Sequence, residues 1–327
     1  MHEFLLTYNS KSTDECIRLA NKAHNYYFEN ALKYKKEFIA TSLEFINAIE
    51  SKIKSKAQID DIKKALAKIG YKGAMLTFIC NEINFIKNRM TILSKHPEFI
   101  DRDNLFILEN TARFMEFIIP YTCSKVKEVV EDRRKFSFKQ IIMHEYTFFD
   151  FPSKELRETK KYIGAFYESG WRAQKYLNGY EFIRRHLNEN DPKIKDFLDK
   201  YGVFDAFSSI IFARMANEQL LKYLSDKNPI FWKHIEKYLL SDKKENKGKI
   251  VNLLKEKDYD HIFITTYKRL KALQDANIIN ELIKNEVDFI NKKGNNVAHN
   301  GASLFYYSCY YNLQLLSYLK NKYLGVK

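Results

Sequence analysis

The sequence predicts an all-α protein. Only ten glycines and five prolines occur among 327 residues, so a helix would be forced to stop at few points. Apolar residues recur mostly at steps of three and four, which is the spacing of one face of a helix. Strands would need alternating patterns bounded by turn residues, and little of the chain carries such a pattern.

Residues 1–150 are predicted to form a helical region with a long helical arm. Ser12-Thr13-Asp14 can cap a helix whose apolar positions continue to Ile53. Shorter helices are predicted next, and the stop signals after them are Gly70, His96-Pro97 and Pro120. These helices cover Ile59–Ile69, Ala74–Leu93, Leu105–Ile119 and Ser124–Lys135. The aromatic stretch Tyr146–Pro152 marks the boundary of the region.

Residues 151–202 are predicted to be connecting helices, and residues 203–327 a helical bundle. One helix is expected from beyond Ser153 to Leu187, and the residues up to Pro192 then form a turn. Within the bundle, Ser241–Gly248 is a polar connector. A final apolar helix is expected over Leu304–Leu319.

One internal repetition suggests an alternative architecture. Asn217–Leu224 and Asn312–Leu319 share the pattern NxQLLxYL, and fainter copies near Asn246 and Asn277 give intervals of about thirty residues. Such intervals are typical of an ankyrin-like or other α-solenoid. Leucines at helical spacing also arise by chance. If the repeat is genuine, the alternative to a bundle is a non-catalytic helical scaffold that binds a protein or nucleic acid.

The octapeptide Gly294–Gly301 is the most informative stretch for function. Two glycines bracket His299, whose ring is the side chain most readily charged and discharged near neutral pH. Neighbouring amides such as Asn295 and Asn296 can hold a phosphate. The alternative is structural: Gly294 ends one helix, an asparagine caps the next, and His299 packs in its first turn.

From Phe204 onward, the order of features resembles the HEPN superfamily, a group of small helical bundles found in RNA-cleaving toxins and in restriction and antiviral defence systems. An early helix carries Arg214-x-x-x-Glu218, and Leu273–Ile290 forms a helical approach to the site. The central match is Gly294-Asn295-x-x-Ala298-His299. The resemblance covers about the last 120 residues and is closest to the restriction-associated branch of the superfamily.

The resemblance implies metal-independent RNA cleavage without a cofactor. His299 would be the general base or acid, Lys293 the cation, and Asn295 and Asn296 would orient the phosphate. The chain departs from the pattern at one point: active members carry an arginine shortly before the histidine, where this chain has Gly294, Lys293 and Lys292. Lysine lacks the planar fork of a guanidinium. A binding or dimerisation module therefore stays open beside an enzyme.

The resemblance also implies a homodimer or a larger defence complex as partner, because each such domain supplies a single histidine. RNA or another nucleic acid fits the net charge of +14. A biased genome that enriches lysine codons would give the same excess of positive charge. Arg214 and Lys292 belong to the predicted nucleic-acid site. Two further basic pairs, Arg133-Arg134 and Arg184-Arg185, are candidate phosphate contacts or solvated helix faces.

Other patterns exclude some classes of site. The four cysteines lack a paired zinc spacing and are expected to be reduced, and no metal motif is present. Arg18-x₅-His24 and Arg89-x₆-His96 match a loose arginine–histidine pattern, which composition alone would also produce. No apolar run is long enough to span a bilayer, so we expect no membrane partner and a cytoplasmic protein.

Overall fold

The computed structural model describes most of the chain: residues 29–53, 73–122, 148–159, 161–186, 203–240, 262–300 and 306–325, with residues 18–19, 22–23, 25–26, 251–253 and 255–256. These residues contain α-helices and no β-strand, which confirms the all-α prediction. We number the helices α1 (Lys35–Ile53), α2 (Gly73–Lys95), α3 (Phe106–Thr122), α4 (Lys154–Thr159), α5 (Lys161–His186), α6 (Val203–Lys227), α7 (Pro229–Leu240), α8 (Thr266–Asp275), α9 (Glu281–Asn300) and α10 (Tyr306–Leu324). A 3₁₀ turn, Pro97–Phe99, follows α2.

α5 and α6 form a long antiparallel hairpin. Tyr176 of α5 stacks on Phe212 of α6. Arg269 interacts with both Tyr162 and Asp226. Tyr162 lies fourteen residues before Tyr176 on α5, and Asp226 lies fourteen residues after Phe212 on α6. Because the paired positions move in opposite directions along the two helices, the helices run antiparallel. Their outer sides remain available for a surface.

α9 lies between the N-terminal helices and the hairpin. Its Glu286 and Phe289 contact Arg89 and Phe85 of α2. On the other side, Asn217 of α6 bonds to α9. The buried side chains from Leu19 to Leu319 form one hydrophobic cluster, so the helices before and after residue 150 share a core. The predicted boundary near residue 150 stays a prediction.

A fully buried arginine joins α2, α3, α9 and α10. Arg89 donates from Nε to Glu286 Oε1 at 2.9 Å and from Nη2 to Glu286 Oε2 at 2.6 Å. Nη2 also donates to the Tyr311 hydroxyl at 2.9 Å, and that hydroxyl donates to Glu286. Nη1 donates to the Ile107 carbonyl, Asn110 Oδ1 and Thr111 Oγ1. The cluster fixes α9 against the N-terminal helices.

Burial and charge act in opposite directions on the cluster's cation. Desolvation lowers the pKa of the Arg89 guanidinium, but Glu286 and Tyr311 raise it above its ordinary value. Burial raises the pKa of Tyr311 well above its ordinary value, and Glu286 raises it further. The arginine is therefore charged and the tyrosine neutral inside the core.

One predicted helix is divided in the structure. The segment from beyond Ser153 to Leu187 was expected to be a single helix, but α4 folds back on α5. A Cβ on Gly164 would lie 2.7 Å from Arg157 Cα. Seven residues along a straight helix span about 10 Å. The close approach requires the chain to reverse, and Gly164 permits the contact because it has no side chain.

The other N-terminal helices follow the prediction more closely. α2 matches Ala74–Leu93 and ends before Pro97, as expected. α3 runs past Pro120 to Thr122, one turn beyond its predicted end. Residues 31–34 form a turn before α1, so the described part of the predicted arm is not one uninterrupted helix. The predicted helices Ile59–Ile69 and Ser124–Lys135 lie outside the described residues.

The repeated NxQLLxYL pattern has a packing origin. Its two copies lie on α6 and α10, which contact each other, and Asn217 and Asn312 are both fully buried. α6 also contacts α5, α7, α8 and α9. A solenoid repeat contacts only its neighbours. The described helices therefore form a bundle around α6 rather than evenly stacked pairs.

None of the described helices combines the length and apolar character that crossing a bilayer requires.

Candidate nucleic-acid interface

α9 has a buried stripe and an outward stripe. Its buried residues recur at helical spacing and include Glu286, Val287, Ile290 and Gly294. At about 100° per residue, position 299 lies on the opposite side of the axis. The stripe that contains position 299 also contains Asp288 and Lys292.

Gly294 is a contact point between α9 and α6. A Cβ at this position would lie 2.5 Å from Arg214 Cδ and 2.7 Å from Arg214 Cβ. The octapeptide was expected to be a break between helices, but α9 continues to Asn300. The glycine is therefore explained by the arginine that crosses it rather than by a helix end.

Arg214 is held at its other end by a carboxylate. Its Nε donates to Glu218 Oε1 at 2.9 Å, one turn along α6, and both side chains are about 30% exposed. The predicted pair Arg214-x-x-x-Glu218 is thus a surface ion pair. It is partly buried where Arg214 crosses α9.

Buried amides fix the register of α9 against α6. Asn217 Nδ2 donates to the Val287 carbonyl at 3.2 Å and to Asn291 Oδ1 at 3.1 Å. Together with the Arg214–Gly294 contact, these bonds make the two helices antiparallel. The outward stripe of α9 therefore has a defined position beside α6.

A charged pair lies on the outward stripe. Lys292 Nζ lies 2.6 Å from Asp288 Oδ2, and the lysine side chain is 69% exposed. By register, position 299 is about 20° from Lys292 around the axis, two turns away, and position 295 is one turn away. Position 293 is about 120° from position 299. Lys292 therefore shares a stripe with position 299, and Lys293 does not.

Only part of the predicted site lies within the described side chains. Arg214 and Lys292 are described, and the backbone of α9 includes Lys293, Asn295, Asn296 and His299, whose side chains lie outside the described set. Arg184 and Arg185 are backbone positions of α5 only, and Arg133 and Arg134 lie outside the described residues altogether. Their predicted roles stay predictions.

The Arg89–His96 pattern does not form a pair. Arg89 is buried with Glu286, whereas His96 follows the end of α2, half-exposed, with Nδ1 3.0 Å from Glu98 Oε1. In the Arg18–His24 pattern, the histidine lies outside the described residues.

A second surface beside α6 was not found from the sequence. Trp171, Arg172, Lys175 and Tyr176 of α5, with Phe212 and Met215 of α6, form what we call the aromatic–cationic surface. The Tyr176 and Phe212 rings are 5.5 Å apart and nearly parallel at 6°, and Arg172 Cζ is 5.5 Å from the Phe212 centroid. Lys175 Nζ lies 5.0 Å from the Trp171 centroid. The helical spacing of these α5 residues was the available signal.

No grouping of three or more His, Cys, Asp or Glu side chains suited to a metal ion occurs in the part of the chain that the structure describes.

Comparison with protein families, with curated proteins and with solved structures finds no match to this chain.

Proposed function

We propose that the protein is a HEPN-like RNA-binding protein that cleaves RNA without a metal ion, as part of defence against phage. The outward stripe of α9 is the proposed site. One observation supports the proposal: by the register of α9, position 299 lies on the same outward stripe as exposed Lys292.

Cleavage needs a base and a cation near one phosphate. His299 would take the proton of a ribose 2′-hydroxyl, whose oxygen then attacks phosphorus. The bond from phosphorus to the 5′-oxygen breaks, and the 5′-oxygen takes a proton from water. The products are a 2′,3′-cyclic phosphate and a 5′-hydroxyl. Lys292 and Arg214 supply the positive charge that stabilises the pentacoordinate phosphorus. Asn295 and Asn296 orient the phosphate, and Lys293 assists from the side of the stripe.

Arg214 offers an answer to the missing motif arginine. Gly294 is one of the three positions where active members carry arginine, and an arginine from the neighbouring helix packs against it. Arginine can hold a phosphate bidentately, unlike lysine. The guanidinium must exchange Glu218 for the phosphate, and the ion pair keeps about 30% of each side chain in contact with solvent.

The decisive test measures cleavage of single-stranded RNA in the presence of EDTA. We expect wild-type protein to produce cyclic-phosphate ends, and His299→Ala to lower the rate by about 10²–10⁴-fold, the usual contribution of a general base. The matched control is His234→Ala, at a half-exposed histidine of α7. Equal rates for wild type and His299→Ala would contradict the catalytic role.

Binding is tested separately from cleavage. Lys292→Gln is expected to weaken RNA binding and to make its salt dependence shallower by about 0.7 in the log–log slope, the value for one contact to a single strand. Lys284→Gln removes the same charge from the same helix, two turns earlier, and should have no such effect. An absence of RNA binding at low salt would contradict the proposal as a whole.

A further inference from the structure

We propose that the aromatic–cationic surface binds single-stranded nucleic acid by stacking bases on its rings, as a continuation of the outward stripe of α9. The inference rests on the proposed function, because the same strand would pass His299. It adds a second binding surface on α5 and α6 and specifies the chemistry of the ligand: unpaired bases joined by phosphates.

The two surfaces meet on α6. Phe212 contacts Tyr176 of α5, and Arg214, two residues later, contacts Gly294 of α9. Met215 lies between these contacts on the outward stripe of α6 and is 42% exposed. One turn of α6 thus joins the aromatic–cationic surface to the edge of the outward stripe.

The cations on the two flanking helices lie at the same level of the bundle. α5 and α9 both run antiparallel to α6. The Tyr176–Phe212 contact puts Arg172 opposite about residue 216, and the Arg214–Gly294 contact puts Lys292 opposite the same residue. Packed helices are about 8–10 Å apart, so these two cations are about 16–20 Å apart across α6. A short strand of nucleic acid can cover this span.

Rings are accessible beside the cations. Tyr176 is 37% exposed although it stacks on Phe212. Trp171 is half-buried, with Lys175 over its ring and Phe151 in a T-shaped contact with it. A base can stack on an exposed aromatic face whatever its sequence. Lysine and arginine placed over such rings are also suited to bridge the ring and a phosphate.

Charge alone does not carry the binding. Each of the three helices has an ion pair between residues four apart: Glu168–Arg172 at 2.7 Å, Arg214–Glu218 at 2.9 Å and Asp288–Lys292 at 2.6 Å. With Lys175, the face has four cations against three carboxylates, a net charge of only +1. A duplex hides its bases within the stack, so this face favours a single strand, whose bases can reach the rings.

The test uses the full-length protein and a fluorescein-labelled oligouridylate of about ten nucleotides. Since the chain has two tryptophans, Trp232→Phe leaves Trp171 as the only one. Anisotropy of the label reports all binding, and quenching of Trp171 fluorescence reports stacking on this surface. His299→Ala is included in the background so that the probe stays intact.

Tyr176→Leu keeps apolar bulk against Phe212 but removes the π face, and we expect about tenfold weaker binding. Tyr267→Leu is the matched control, because Tyr267 is 60% exposed on α8. Circular dichroism and thermal melting check the fold. If Tyr176→Leu is unstable, Met215→Glu at the exposed centre of the face replaces it, with the same expected direction.

The outcomes separate this inference from the proposed function. Binding with Trp171 quenching, weakened by Tyr176→Leu and not by Tyr267→Leu, supports the inference. Binding that Lys292→Gln weakens, without quenching and unaffected by Tyr176→Leu and Met215→Glu, overturns the inference and leaves the proposed function standing. Tighter binding of a duplex of the same length also overturns it. If no oligonucleotide binds, both are overturned.

Discussion

Two arginine–glutamate pairs hold α9 in place, and they differ in nearly everything except their chemistry. Arg89–Glu286 is completely buried between helices separated by 197 residues of chain. Arg214–Glu218 lies one turn apart on a single helix with about 30% of each side chain exposed. The first pair joins α9 to α2 through Glu286, and the second contacts α9 where Arg214 crosses Gly294.

The comparison separates structure from function. A buried charge pair cannot exchange its partner without a large desolvation cost, whereas an exposed pair exchanges with little cost. Arg89 is therefore part of the core, whereas Arg214 keeps about a third of its side chain in contact with solvent. We propose that this difference in surroundings lets the same arginine–glutamate chemistry serve two roles.

The largest expected effect is on the buried pair. Arg89→Met leaves Glu286 buried without its cation, and we expect a loss of about 3–5 kcal/mol in the free energy of unfolding. Arg113→Met, which removes the partly buried i,i+4 partner of Glu109, is the control and should cost only about 1 kcal/mol. Chemical denaturation of both variants checks the difference; equal losses would contradict the structural role of Arg89.

A smaller effect is expected at the cluster's hydroxyl. Tyr311→Phe removes the bonds to Arg89 and Glu286 and should cost about 1–3 kcal/mol at neutral pH. Burial raises the pKa of Tyr311, so wild-type stability from this group is complete below pH of about 10 and is lost as pH rises above it. The difference in the free energy of unfolding between wild type and Tyr311→Phe should therefore become smaller as the pH is raised above about 10. A gap that widens would contradict a neutral, buried tyrosine.

Gly294→Ala tests the contact between Arg214 and α9. Alanine favours a helix by about 0.5–1 kcal/mol, but crowding against Arg214 Cβ and Cδ typically costs about 1–3 kcal/mol. We expect a net loss of stability, measured by thermal melting. In an Arg214→Ala background, the same substitution should become neutral or stabilising. If Gly294→Ala alone stabilises the protein, the close contact between Gly294 and the Arg214 side chain is wrong.

The smallest stability effect is expected at the exposed pair. Arg214→Gln should change the free energy of unfolding by at most about 1 kcal/mol, because the ion pair with Glu218 is screened by solvent. RNA binding should nevertheless weaken. Comparison of melting with anisotropy measures both. A large loss of stability with unchanged binding would reverse the roles assigned to the two arginines.

The fold class was predictable because helix periodicity and the scarcity of glycine and proline are local signals. α2, for example, could be bounded by Pro97 from sequence. The fold-back at Gly164 and the crossing of Gly294 by Arg214 could not, since each glycine is explained by a contact with atoms distant in the chain. Sequence alone assigned Gly294 to a break because it is the same residue that ends helices.

The candidate site stays a prediction, but the structure sets the positions of its residues along and around α9. The resemblance pointed to Arg214, Glu218 and Gly294, and the fold brings the arginine and the glycine together. The resemblance assigned the cation to Lys293, whereas the phases of one continuous helix put Lys292 on the stripe of position 299. The rings of α5 were missed because Tyr176 and Phe212 meet only through tertiary packing.

The most direct test is photo-crosslinking of a 4-thiouridine-labelled single-stranded RNA to the full-length protein, with the crosslinked peptides identified by mass spectrometry. We expect crosslinks on α9, on α6 around Arg214 and Met215, and on α5 around Tyr176. Crosslinks confined to other helices, such as α1 or α7, would contradict the proposal that RNA follows this face.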